Sequence, residues 1–198
     1  MSRKAWYQLG ATAFAIALAS LSAWPTVRAS QIVTGQARAV QVNSALGTTV
    51  LTDTGTLGGT NDARDATLDF GIVPSVLSGE VLHAVTIGWP DQVASETSLG
   101  NLNIALAGTG ISADFVMAKT LAVLGGRSTA TSIIDNLSVN GIPVAVTGQP
   151  NQRVSIPGGQ LVINEQTVSF NGTTVNALHA RVLGVADVVI ASATAGIR

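Results

Sequence analysis

Two Asn-Gly dipeptides, each set between short apolar segments, constrain the fold of this chain more than any other feature. Asn-Gly is the preferred centre of the two-residue type I′ turn that joins neighbouring antiparallel strands. For the first dipeptide, Asn140-Gly141, such a turn pairs four apolar residues on one face: Val139 with Ile142, and Leu137 with Val144. Pro143 then lies opposite Ser138 on the other face, and because proline has no N–H to donate, it predicts an edge strand.

The second dipeptide, Asn171-Gly172, predicts another hairpin by the same turn chemistry. Its expected pairs are Phe170 with Thr173 and Val168 with Val175. Turn residues and apolar pattern agree in both places, which is the consistency between local and global preference that foldable sequences show. We therefore expect antiparallel strands throughout this half of the chain.

Alternation of apolar and polar residues predicts further strands with one buried face. In residues 101–106 the leucines and the isoleucine alternate with Asn101 and Asn103, and residues 111–117 place Ile111, Ala113, Phe115 and Met117 on one face. Residues 81–87 alternate less cleanly, since His83 falls on the face of Val81, Val85 and Ile87. Between residues 36 and 43 the alternation changes phase, which predicts a bulge near Ala39.

The remaining segments add no helix to this pattern. Residues 120–124 are rich in Ala and Leu, but Gly125-Gly126 ends that run too soon for a helix. Residues 52–69 are rich in Gly, Thr and Asp and are interpreted mainly as a loop. The sequence therefore predicts an all-β fold: a single-domain antiparallel β-sandwich of about ten strands over residues 30–198.

Residues 1–29 have the pattern of a cleavable signal peptide. Arg3-Lys4 precedes an uncharged run from Leu9 to Trp24, which is shorter than the roughly 20 apolar residues that a membrane-spanning helix needs, and Pro25 interrupts it. Val27-Arg28-Ala29 supplies compact residues at the positions that signal peptidase recognises, so cleavage is expected before Ser30. We expect a secreted, extracellular or periplasmic bacterial protein.

The composition of residues 30–198 excludes several classes of function. They contain 11 acidic and 7 basic residues without a basic cluster, which argues against a nucleic-acid partner and against membrane binding after signal cleavage. The chain has no cysteine, so thiolate zinc sites, thiol redox chemistry and cysteine nucleophiles are excluded. After residue 29 the chain contains one Trp, Trp89, and no Tyr. This weakens the case for carbohydrate binding by aromatic platforms.

The densest acidic cluster, Asp62, Asp65 and Asp69, is the candidate metal site. Carboxylate oxygens on a flexible Gly-rich segment are ligands that calcium prefers, and Gly58-Gly59 lies just before them. The spacing matches no established calcium loop and Arg64 lies within the cluster, so a solvated turn is the competing interpretation. Calcium is the one cofactor for which the sequence offers ligands.

No catalytic residue is predicted. His83 and His179 lie in different predicted strands, and a metal site shared by them would need further ligands that the sequence does not indicate. A Ser/His/Asp hydrolase can be assembled from scattered residues, but the Gly-x-Ser-x-Gly elbow and its strand–helix context are missing.

The second half of the domain resembles the choice-of-anchor P family of bacterial surface proteins. The similarity is most specific from Leu137 to Ala195 and includes the pair Asn164-Glu165 and the run from Asn176 to His179. Its segments are LSVNGIPV (137–144), GQPN (148–151), GGQLVINE (158–165), VNALHA (175–180) and DVVIASA (187–193). The resemblance implies surface display and no particular activity. Because no sortase-type signal or apolar tail follows Thr194, we expect free secretion rather than anchoring.

His179 is the residue of this motif that most invites a catalytic interpretation. The alternation places it on one face with Val175, Ala177 and Leu183, with Arg181 as a polar exception. A half-buried imidazole uses its ring nitrogens as donor and acceptor, and Asn164, Glu165 and Asn176 are the candidate partners. No nucleophile is tied to it by sequence. We therefore expect a structural role for these four residues.

Three classes of function stay open at this point. The first is a non-enzymatic structural or adhesive protein of the cell surface or matrix, with a surface glycan or a protein as partner. The second is a carbohydrate-binding module, and the third is an extracellular hydrolase. A fold alone does not decide among them.

Overall fold

The computed structural model describes residues 31–198, which form one compact unit; the expected signal peptide lies outside the described residues. These residues form thirteen strands and no helix. The strands are β1 (Val33–Ser44), β2 (Gly47–Asp53), β3 (Ala63–Val73), β4 (Leu77–Gly88), β5 (Gln92–Leu106), β6 (Thr109–Val123), β7 (Thr129–Asp135), β8 (Ser138–Val139), β9 (Ile142–Pro143), β10 (Gln152–Ile156), β11 (Gly159–Ser169), β12 (Gly172–Val182) and β13 (Ala186–Ile197). Within residues 31–198 no helix is long and apolar enough to cross a membrane.

The strands form two antiparallel sheets packed face to face, which confirms the predicted β-sandwich. The first sheet has the order β10-β11-β12-β13-β1-β2. The second has the order β3-β4-β5-β6-β8-β9, and β7 pairs with another part of β6. The number of strands exceeds the expected ten, in part because the two-residue strands β8 and β9 are counted. Residues 52–69 were expected mainly as a loop, but residues 52–53 lie in β2 and residues 63–69 lie in β3.

The core lies between the sheets and consists of aliphatic side chains from both. Long strands with inward Leu, Ile and Val every second residue bury one face of each sheet, which is the main source of stability for a sandwich of this kind. The largest of the almost inaccessible side chains are Leu82, Leu99, Leu102 and Ile111 from the second sheet and Leu161, Ile163, Leu178 and Ile190 from the first.

The first Asn-Gly hairpin has the predicted register. Val139 pairs with Ile142 and Ser138 pairs with Pro143, and β9 is a sheet edge, as the proline predicted. The N–H of Val144 donates to the carbonyl of Leu137 at 2.8 Å. Ile142 is 69% exposed and Leu137 is 2% exposed, so the shared apolar face is buried at the base of the hairpin and open at its tip.

The second Asn-Gly hairpin has a different register from the predicted one. Ser169 pairs with Gly172, which leaves Phe170 and Asn171 as the two turn residues, and Val168 pairs with Thr173 instead of Val175. Gly172 has φ +131°, and a Cβ there would lie 2.3 Å from the carbonyl oxygen of Ala195. Glycine is therefore required for the close approach of β12 to β13, a long-range constraint that turn chemistry does not reveal.

Each sheet has a crease, defined here as the position along each strand at which the alternation of inward and outward side chains changes phase. In the first sheet it runs through Asn164, Ala177, Ala191, Ala39 and Thr52, and in the second through Val81, Asn101, Asp114 and Asn136. On β1 the consecutive residues Ala39 and Val40 are both 0% exposed, so the alternation changes phase at Ala39. The predicted bulge is absent there, because the single residue Ala191 lies opposite Ala39 and neither strand has an extra residue. Six of the nine residues have positive φ, the conformation that most side chains disfavour.

The crease explains the faces that were predicted wrongly. On β4 the inward residues that follow the crease in sequence are Leu82, Ala84 and Thr86. His83, Val85 and Ile87 therefore lie on the outer face. On β6 the residues before the crease, Ile111 and Ala113, are inward as expected. Beyond it Val116 and Ala118 replace the expected residues, Phe115 and Met117. On each side of the crease, inward residues recur at every second position. Across the crease this alternation shifts by one residue, so a face assigned from one side is wrong on the other.

Candidate functional site

The candidate site is a group of five polar side chains on the outer face of the first sheet, here called the His179 cluster. It consists of Glu165 on β11, Asn176, His179 and Arg181 on β12, and Asp187 on β13. The register places Glu165 beside Asn176 and Arg181 beside Asp187. Because the crease crosses β12 at Ala177, His179 points outward and does not share the inward face of Val175 and Ala177, which corrects the predicted orientation.

Both ring nitrogens of His179 are engaged by carboxylates. Nδ1 lies 2.5 Å from Oε2 of Glu165, and Nε2 lies 2.9 Å from Oδ1 of Asp187. An ionised carboxylate only accepts hydrogen bonds, so a ring nitrogen binds it through an N–H. The ring is thereby held between two acidic side chains.

Arg181 covers the exposed side of this ring. Its Nε lies 3.0 Å from Nε2 and its Nη2 lies 3.1 Å from Nδ1 of His179. The contact with Nε2 is a hydrogen bond in which the Nε–H of Arg181 is the donor. The same two nitrogens lie 3.3 Å from Asp187 and Glu165, respectively. Arg181 thereby bridges the two carboxylates.

Burial within the cluster decreases outward from the histidine. The side chain of His179 is 6% exposed and that of Glu165 is 17% exposed, against 45% for Arg181 and 40% for Asp187. Asn176 donates from Nδ2 to Oε2 of Glu165 at 2.8 Å. Burial alone would raise the pKa of Glu165, but hydrogen bonds from Asn176 and His179 and the charges of His179 and Arg181 lower it below its ordinary value.

This lowered pKa predicts a loss of stability in acid. Because the folded protein holds Glu165 ionised more strongly than the unfolded chain does, its contribution is present above the ordinary pKa of 4.5 and is lost as pH falls through the lower folded value. The melting temperature should fall more steeply between about pH 5 and pH 3 in wild type than in Glu165→Gln. Thermal denaturation at stepped pH measures this, and equal slopes for the two proteins would contradict the assignment.

The arrangement favours a structural role for the motif. A general base needs a free ring nitrogen facing its substrate, and both nitrogens of His179 are occupied beneath Arg181. The expected partner Glu165 is confirmed, and Asn176 acts through Glu165. Asn164 lies elsewhere: its Nδ2 donates to the carbonyl of Gly148 at 3.1 Å, and its Oδ1 accepts from Gln166 at 3.0 Å.

Sequence reasoning missed one member of the cluster and undervalued another. Arg181 was noted only as a polar exception, although its position two residues after His179 places both on one face. Asp187 lies in the closing segment of the chain, and its carboxylate reaches His179 only because β13 pairs with β12 in one particular register. An acidic residue opposite an arginine in a predicted hairpin was the available signal.

The three aspartates proposed for calcium do not form one loop. Asp62 lies before β3, where its Oδ2 accepts from the N–H of Gly58 at 2.7 Å and from Nε of Arg64 at 2.9 Å. Asp65 and Asp69 lie within β3, and four residues of strand separate their Cα atoms by about 13 Å. This corrects the loop assignment for residues 63–69 and does not favour one ion shared by all three.

The two histidines lie on opposite sides of the molecule, His83 on the outer face of the second sheet and His179 on that of the first. One metal ion cannot contact both. Within residues 31–198 no group of three or more His, Asp or Glu side chains is arranged to hold a metal ion. With the geometry of these residues established, comparison of the chain with protein-family models, with curated proteins and with solved structures finds no match.

Proposed function

We propose that this protein is exported from a bacterial cell and acts as a non-enzymatic structural or adhesive protein through the surface of its β-sandwich. The observation that carries the proposal is the His179 cluster. Its histidine, the best chemical candidate in the chain, is bound at both nitrogens and is covered by Arg181. The motif is thereby used to tie β11, β12 and β13 together, which suits a domain whose role is to present a stable surface.

The resemblance to the choice-of-anchor P family supports the same proposal. The segments that carry it include four members of the cluster, Glu165, Asn176, His179 and Asp187. A shared scaffold would keep such a cluster, and a family of surface-displayed domains can keep a scaffold while its partners differ. Under this proposal the partner is a surface glycan or a protein.

The experiment that tests the proposal is localisation in the native host. Culture medium, envelope and extracellular matrix are separated, and the protein is detected in each and weighed by intact mass spectrometry. We expect material that begins at Ser30 outside the cytoplasm. A full-length species retained in the cytoplasm or the membrane would contradict export, and a substrate turned over by the purified protein would contradict the non-enzymatic role.

Carbohydrate binding is the second candidate, favoured by the position of Trp89. This side chain is 36% exposed at the turn between β4 and β5, so part of its ring can contact a sugar. Phe170 is 82% exposed, but the guanidinium of Arg198 occupies one face of its ring, 3.2 Å from the centroid. Glycan arrays of wild type and Trp89→Ala decide between the candidates, since binding that disappears in the variant supports the module.

A further inference from the structure

The edge strand β2 is paired on one side only, with β1. Its residues Gly47, Thr48, Thr49 and Val50 are all exposed, and the segment from Gly47 to Leu51 contains neither a charge nor a proline. An uncharged edge with unpaired backbone groups is a template for another strand, and most natural proteins block such edges.

The other strands at the margins of the two sheets carry features that discourage pairing. β9 contains Pro143, which has no N–H to donate. β3 carries the charges of Arg64, Asp65 and Asp69, and β10 carries Arg153. At β7 the amide of Gln166 donates to the backbone carbonyl of Ala130 at 3.0 Å. Among the margins of the described sheets, the segment of β2 from Gly47 to Leu51 is thus the exception, since it carries none of these features.

The sequence of β2 is complementary to itself in the antiparallel direction. If Thr49 lies on a two-fold axis, it faces Thr49 of a second copy, Thr48 faces Val50, and Gly47 faces Leu51. A Thr–Thr pair of this kind stabilises antiparallel strands, and the β-branched residues Thr48 and Val50 suit a strand. The single charge of the strand, Asp53, would lie opposite Ala45, and Arg38 already neutralises it at 2.8 Å. No like charges meet in this register.

A strand added beyond β2 would also cover an apolar side chain that the sandwich leaves open. Leu68 on β3 pairs with Leu82, a core residue that is 1% exposed, so Leu68 faces the interior. It is nevertheless 39% exposed. Leu51 of β2 lies against Gly71 of β3, which places β3 beneath the margin of the first sheet. The next strand of that sheet would therefore lie over Leu68.

We infer that β2 is a self-association edge, at which a second copy of this chain adds its own β2 as an antiparallel strand and joins two first sheets into one of twelve strands. The inference rests on the proposed function, since it names a partner for a structural surface protein. A contact of about five residues per strand is a small interface, so association should be weak and should depend on protein concentration.

The absence of cysteine from the chain provides a direct test. In the two-fold register the Cβ atoms of the two Thr49 residues lie about 4.5–5.5 Å apart, and a small approach of the strands brings them within the roughly 3.5–4.5 Å of a disulfide. Purified Thr49→Cys, oxidised by glutathione disulfide, should form a covalent dimer at least about tenfold faster than Thr167→Cys, whose residue is exposed on β11. Equal rates for the two variants would overturn the inference.

Charges introduced at Thr49 test the same register without cysteine. Thr49→Lys and Thr49→Glu each place like charges opposite one another in a homodimer, whereas an equal mixture pairs opposite charges. Sedimentation should show two monomeric variants and an associating mixture. A mixture that stays monomeric would refute the two-fold pairing, and so would dimers of Thr49→Lys alone. Either result leaves the proposed extracellular role intact, because localisation tests that role separately.

Discussion

Replacement of Gly159 by alanine is expected to destabilise the fold by about 3 kcal/mol or more. At the start of β11 the backbone of β12 approaches so closely that a Cβ on residue 159 would lie 1.8 Å from the carbonyl oxygen of Arg181 and 3.0 Å from the Cα of Val182. Backbone atoms in a sheet cannot rotate away as a flexible side chain can, so β11 and β12 must separate. Chemical denaturation of the variant beside wild type measures the loss.

Gly110→Ala is the matched control for this prediction. Gly110 also lies in a strand, β6, but the nearest atom to its would-be Cβ is Oδ1 of Asn140 at 3.8 Å, an ordinary contact. Alanine there should change the free energy of unfolding by less than about 1 kcal/mol. If both variants lose the same stability, the cost arises from glycine flexibility in strands generally and the close approach at Gly159 is not its cause.

His179→Ala is expected to lower the free energy of unfolding by about 1–3 kcal/mol. The substitution removes two hydrogen bonds to carboxylates and leaves Glu165, whose side chain is 17% exposed, without its closest hydrogen-bonding partner. Asp187 keeps only Arg181. Thermal denaturation measures the effect directly, and the melting temperature should fall at neutral pH.

His83→Ala separates this effect from the general loss of an imidazole. His83 is half-buried on the outer face of the second sheet, and within residues 31–198 its ring makes no hydrogen bond. Replacing His83 by alanine should lower the free energy of unfolding by much less than replacing His179 does. An unchanged melting temperature for His179→Ala, together with loss of a binding activity, would instead place His179 in a functional site.

The strands and the first hairpin were predictable because their signals are local. Asn140-Gly141 specifies its own turn, and the residues on either side carry the period of a strand. The second hairpin was predictable as a hairpin but not in its register. The reason is that Gly172 serves the approach of β13, more than twenty residues away in sequence. Local chemistry cannot reveal a contact of that kind.

The crease was visible at one strand and hidden at the others. At Ala39 the alternation reverses within a few residues, so the sequence shows it. At Ala191 and Val81 the positive φ is held by neighbouring strands and not by a residue type that prefers it. The asparagines at 101, 136 and 164 do tolerate that conformation, and recurring Asn within predicted strands was the signal that sequence reasoning left unused.

The His179 cluster was predictable only in part, because some of its contacts depend on how distant strands pair. The motif offered Asn164, Glu165 and Asn176 as partners of His179, and of these Glu165 is in contact with it. Arg181 and Asp187 completed the set only once the register among β11, β12 and β13 was known. A pairwise interaction inside a motif can be expected from sequence, whereas a charge balance that spans three strands depends on the fold.

A double-mutant cycle between Glu165 and His179 tests the central claim most directly, namely that the motif stabilises the fold through side chains that bind each other. The free energy of unfolding is measured for wild type, Glu165→Ala, His179→Ala and the double variant at neutral pH. The contact of 2.5 Å predicts that the two single losses together exceed the loss in the double variant, with a coupling of about 1–3 kcal/mol. Additive losses would contradict the claim.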